Sequence, residues 1–112
     1  MADALREPTY YLLAALLDGP MHGYAIAKSA AELSDGRVRL TAGTLYGALE
    51  RLLARGLVRD AGEETVDGRR RRAYALTDEG RITLQAEARR MRHAAAVVER
   101  RGRPSRVQGV RA

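Results

Sequence analysis

The 112 residues predict a mainly α fold with one small β-hairpin. Three observations predict it. Apolar positions recur at helical spacing in four stretches. One alternating run, VDGRRRRAYAL (66–76), returns from an Asp67-Gly68 turn and carries four consecutive arginines. The last long stretch repeats its apolar positions by fours and threes, at Leu84, Ala88, Met91, Ala95 and Val98.

The elements follow in order. Pro8 suits the first turn of a first helix, and Glu7 beside it complements the helix dipole. TYYLLAALL is apolar on nearly every face, so this helix is expected to be largely buried, with Asp18-Gly19-Pro20 as its stop. A second helix is predicted over 22–34, with His22 as a local cap, Tyr24 in the core and one apolar stripe from Ile26, Ala30 and Leu33. RVRL (37–40) is at best a stub of strand. Thr41 is a plausible N-cap for a third helix. Leu45, Leu49, Leu52 and Leu53 form its core stripe, with Thr44, Tyr46, Ala48 and Arg51 on the other side. Gly56 follows its last turn. LVRDAGEE (57–64) reads as a strand and RRRAYAL (70–76) as its returning partner. Thr77 caps a fourth helix, with Asp78 and Glu79 in its first turn.

Composition narrows the function. Arginine and lysine number 20 against 14 aspartates and glutamates, a net charge of +6, and Lys28 is the one lysine. Arginine presents a planar fork of donors suited to phosphate and to guanine edges, and a basic small domain points to a polyanionic partner. With no cysteine, disulfides and thiolate metal sites are excluded, which suits a cytoplasmic protein. His22 and His93 alone make a zinc site improbable, and no Gly-rich phosphate loop follows a strand. Ser29, Ser34 and Ser105 lack a base and an orienting group, so no enzyme, metal or cofactor is expected. YYLLAALL falls short of the ~20 apolar residues that cross a bilayer, and acidic rather than basic residues precede it. Neither a membrane span nor a signal peptide is expected.

Three helices followed by a hairpin is the winged helix-turn-helix order, with the third helix in the major groove and the hairpin, or wing, along the backbone. Arginines at a wing tip are well placed for phosphates and a narrow minor groove. Because strand side chains alternate, about half of Arg69 to Arg72 should face DNA. The organisation expected is a DNA-binding domain over 1–76, a dimerisation helix over 77–101 and a disordered basic tail over 102–112. The fourth helix keeps a seam after the core is built, which points to a second copy of the chain. An RNA-binding or ribosome-associated basic winged helix is the alternative; its weakness is that the five tyrosines form no stacking platform.

Three stretches, YYLLAALLDGPMHGYAI, GTLYGALERLLARGLV and DGRRRRAYALTDEGR, resemble the PadR family of transcriptional regulators over residues 8–81. The resemblance implies a homodimeric winged-helix repressor on double-stranded DNA, with the C-terminal helix as dimer contact. It places Thr44 and Tyr46 at the DNA-facing start of the recognition helix, Gly43 where backbone approaches phosphate, and Arg69 and Arg70 on the wing. With Thr41, Arg51 and Arg71 these are the candidate DNA contacts; Leu84, Ala88, Met91, Ala95 and Val98 are the candidate dimer seam. Gly47 stands where many members carry Pro, a departure that bears on the early bend of the third helix. Short members also bind flat apolar effectors between the dimer helices. With no Trp or Phe and with Met91 and Ala95 mid-seam, such a pocket here is expected to be aliphatic.

Overall fold

The structure, a computed structural model, describes residues 5–102. The basic tail expected over 102–112 lies outside the described residues from 103 onward. Helix α1 (Glu7–Ala15) has proline in its first turn and runs into a 3₁₀ turn, Leu16–Asp18. Strand β1 (Met21–His22) precedes helix α2 (Gly23–Leu33), and helix α3 (Ala42–Ala54) follows. Strands β2 (Val58–Val66) and β3 (Arg69–Leu76) form the hairpin, and helix α4 (Asp78–Gly102) completes the described chain. The sheet is antiparallel in the order β1-β3-β2. This is the mainly α winged-helix architecture that the sequence predicts.

One core joins all layers. Leu12, Leu13 and Leu16 from the first helical segment meet Ile26 of α2, Leu45, Leu49 and Leu52 of α3, Val58 and Tyr74 of the sheet, and Leu84 of α4. Each such side chain contributes about 1.5–3 kcal/mol when fully buried. The caps agree with the sequence: the His22 imidazole accepts from the Ala25 N–H, and the Thr41 hydroxyl from the Thr44 N–H. Helix α3 ends at Ala54, with Arg55 as its C-cap and Gly56 following at φ +76°.

Several expectations need correction. RVRL is not a strand: Val38 is buried and its N–H donates to the buried Ser34 hydroxyl, which pins the segment as a loop. The third strand is instead Met21–His22, too short to carry a periodic pattern and defined by its pairing with Tyr74 and Ala73. Leu33 is exposed, although Ala30 in the same turn and Ser34 just beyond it are buried. Tyr24 is 66 % exposed and stacks on His22 rather than entering the core. Ala48 is buried, not on the outer face of α3. Leu84 packs into the core of the single chain.

The wing carries a feature that periodicity does not reveal. Asp67 and Gly68 both adopt positive φ, 52° and 77°, the tight hairpin turn whose twist matches the flanking strands. Asp60 pairs with Tyr74 but Glu63 with Arg72, so β2 spends one residue more than β3 in a β-bulge. Without the extra residue Asp60 and Glu63 would lie on opposite faces. With it, both lie on the Tyr74 face.

Helix α4 is joined to the wing by the Thr77 hydroxyl, which donates to the Gly56 carbonyl (2.6 Å) and accepts from the Gly80 N–H (2.9 Å). A Cβ at Gly80 would lie 2.0 Å from the Leu57 carbonyl oxygen, so only glycine lets the helix pass there. Leu84 and the buried Glu87 anchor the first half; Glu87 bonds Arg90 and the Leu5 backbone N–H, and the Arg90 guanidinium holds its carboxyl below the usual range. From Arg89 to Gly102 every residue is exposed except half-buried Ala96. The 25-residue helix, about 37 Å long, makes the molecule 67 Å in its longest dimension. No helix among the described residues is long and apolar enough to cross a membrane.

Candidate nucleic-acid interface

Two surfaces meet the requirements read from the sequence: the outer face of α3 and the wing. On α3, Thr41, Gly43, Thr44 and Arg51 are all exposed. The Thr41 hydroxyl donates to the Thr44 hydroxyl at 3.0 Å while accepting the Thr44 N–H, so the two threonines form one polar step at the helix start. Nothing lies within 4 Å of a Cβ built on Gly43, which leaves the backbone open to a close-approaching ligand.

Tyr46 differs from the expectation of a purely outward-facing side chain. It is 42 % exposed, yet its hydroxyl would lie 2.6 Å from a Cβ at Gly23. The ring rests on the start of α2, where glycine leaves room for it. Two of the motifs that carry the family resemblance, HGY and GTLY, therefore touch. Arg51 lies back along α3, its guanidinium 3.6 Å from a Cβ built on Gly47, consistent with helical side chains leaning toward the N-terminus. Arg6, Thr44 and Arg51 line one shallow hollow between α1 and α3, floored by Leu12, Leu40 and Ala48. Arg6 was not a candidate from the sequence. Its closeness to α3 depends on how α1 docks, which no local spacing encodes.

On the wing the four arginines are not equivalent. Arg70 pairs with Glu63 at 2.5 Å and Arg72 with Asp60 at 2.9 Å. Arg72 also lies over the Tyr74 ring, 5.9 Å from its centroid. Asp60 accepts the Gly62 N–H, which, with the Arg72 guanidinium, holds its carboxyl below the ordinary aspartate value; Asp60 in turn raises Arg72. Among the described residues, no carboxylate lies within 4.0 Å of Arg69 or Arg71. His22 connects the surfaces: it caps α2 beside Gly23, and its Nε2 lies 4.0 Å from the Glu64 carboxylate. The recognition-type helix thus reaches the wing through Tyr46, Gly23, His22 and Glu64. Exposed arginines and paired hydroxyls can bind phosphate oxygens and base edges.

A second hollow is formed by α1 and α4, where Tyr10 and Tyr11 stand beside Met91. Helix α1 thus places two aromatic side chains next to Met91.

Comparison with known proteins adds a family and several relatives. Residues 12–86 match the family model described as the Transcriptional regulator PadR-like family. The chain is 38% identical over 81 residues to Transcriptional regulator Rv3488 of Mycobacterium tuberculosis, covering 72% of each. It is 46% identical over 80 residues to an uncharacterized 37.1 kDa protein in transposon TN4556 of Streptomyces fradiae; those residues are 71% of this chain but span only 21% of that protein's length. Among solved structures, a PadR family transcription regulator from Clostridium difficile R20291 superposes with a TM-score of 0.71 at 28% identity, over 85% of this chain and 97% of that one. Bacillus subtilis PadR, solved in complex with operator DNA, shares the fold at a TM-score of 0.62 and 23% identity, over 72% of this chain and 46% of that one.

Proposed function

The chain belongs to the PadR-like family of transcriptional regulators, a family of regulators rather than enzymes, and from that premise we propose that it is a homodimeric repressor binding a two-fold-symmetric operator in double-stranded DNA. The single observation that carries the reading is an exposed, hydroxyl-lined start of α3 coupled through His22 to an arginine-rich wing. The operator complex of Bacillus subtilis PadR, which shares the fold, supports it. Thr41, Gly43, Thr44, Tyr46 and Arg51 would meet the major groove, and the wing arginines the flanking backbone. The part through Leu76 is the DNA-binding unit in this reading.

Helix α4 is the dimer arm in this reading. Leu84 holds it to its own protomer, while Ala88, Met91, Ala95 and Val98 form the seam that a second copy covers. Met91 and Val98 are 42 % and 69 % exposed in the single chain, and a partner helix would bury both. A small apolar effector lodged beside Met91, Tyr10 and Tyr11 would couple to DNA affinity by changing how the two arms cross.

A gel shift tests the reading. A duplex from upstream of the chain's own reading frame should be retarded, and excess random DNA or RNA should compete poorly. Equal competition by RNA would favour the RNA-binding alternative.

A further inference from the structure

The wing's arginine run is divided by its own geometry. The bulge at Ala61-Gly62 brings Asp60 and Glu63 to one face of the hairpin, the face of Tyr74, Arg72 and Arg70. Each carboxylate there takes one guanidinium. The other face differs. Arg69 stands opposite Val66, which carries no charge. Arg71 stands opposite Glu64, but that carboxylate lies 4.0 Å from His22 and not within that distance of any arginine. Among the described residues, alternate arginines are thus paired with a carboxylate and unpaired, and of the unpaired two Arg69 is exposed and Arg71 half-buried.

We propose that Arg69 and Arg71 are the wing's phosphate-binding residues, and that Arg70 and Arg72, held by Glu63 and Asp60, are positioning residues that set the direction of the wing. This rests on the DNA-binding reading above. An arginine already sharing its charge with a carboxylate gains less from a phosphate and releases less counterion. Arg72 is held most firmly: Asp60 is itself fixed by the Gly62 N–H within the bulge, and the Tyr74 ring backs the guanidinium. Since Tyr74 belongs to the core, the clamp ties wing direction to the body of the domain.

Two double variants remove the same charge from the same hairpin. Duplex binding is measured against salt for the wild-type chain, for Arg69→Ala with Arg71→Ala, and for Arg70→Ala with Arg72→Ala, on a random-sequence duplex and on the upstream duplex. The first pair should make the log–log slope shallower by up to about 1.8 per wing, at ~0.9 per phosphate. The second pair should keep the slope and lower affinity for the upstream duplex by a similar factor at every salt concentration. Thermal melting verifies that both remain folded. Asp60→Ala adds one net positive charge, yet it should weaken binding to the upstream duplex, because the clamp and the bulge are both lost. Equal flattening by the two pairs, or tighter binding by Asp60→Ala, would overturn the division while leaving DNA binding intact. A wild-type chain with no salt-dependent duplex binding would remove the DNA-binding reading itself.

Discussion

Single residues carry contacts whose purpose the sequence only partly reveals. The LTxxG-type run at 76–80 is legible as a helix start, because a threonine before two acids is an N-cap pattern. That Gly80 must be glycine is not legible, since the obstacle is the Leu57 carbonyl, 23 positions earlier. Gly80→Ala is expected to cost at least about 3 kcal/mol, the upper end for overpacking, because backbone rather than a flexible side chain blocks the new methyl. Urea unfolding checks this by a lower midpoint at constant slope; an unchanged midpoint would contradict the close approach. Tyr46 is the other instructive residue. The family resemblance places it among the DNA contacts, and the structure makes it also a packing partner of Gly23. Tyr46→Ala should weaken the specific site by about 1–3 kcal/mol relative to random DNA if it makes a base contact. Tyr46→Phe keeps the ring on Gly23 and separates the two roles. Equal loss on both DNAs in the alanine variant would assign Tyr46 to packing or phosphate positioning.

At the level of elements, the long periodic segments were readable and the short ones were not. Helices α1 to α3 and the wing appear where spacing, caps and the Asp67-Gly68 turn placed them. Strand β1 escaped because two residues have no period, and its pairing depends on β3 more than 50 positions away. The bulge escaped because Asp60–Glu63 (DAGE) holds no large apolar residue, so a slipped register leaves no large side chain out of place. Its consequence is testable by pH. Asp60 is held below its ordinary value of 3.8, first by the Gly62 N–H and then by Arg72. A depressed carboxyl contributes stability that is present above the unfolded value and lost as pH falls through the folded one. The clamp should therefore be constant from pH 5 to 8 and weaken only below about 4. Asp60→Asn should accordingly remove part of the acid-induced loss of stability seen in that low range, as followed by circular dichroism. An effect of Asp60→Asn confined to pH 6–8 would contradict the assignment. Helix α4 divides in the same element-wise way. Leu84→Glu should unfold the chain, since Leu84 is 3 % exposed in the core. Val98→Glu should leave the protomer folded and, with like charges meeting near a two-fold axis, yield monomer by light scattering.

At the scale of the whole molecule, a compact body carries the proposed DNA-binding surface and an exposed arm carries the proposed seam. Composition made the broad class legible: a net charge of +6 built almost wholly from arginine, with no cysteine, leaves few partners other than a polyanion. What composition could not reveal is how that charge is distributed, because pairing depends on which face each strand residue occupies. Two protomers joined along α4 would set their α3 helices apart by a fixed distance, and that spacing is the most direct consequence of the account. Hydroxyl-radical footprinting on a duplex selected from a random pool by the wild-type chain measures it. The account predicts two inverted half-sites whose centres lie about one helical turn apart, roughly 10 base pairs, or a multiple of that, protected together by the wild-type chain and not by Val98→Glu. A single unsymmetrical footprint, or equal protection of both half-sites by the monomeric variant, would contradict it.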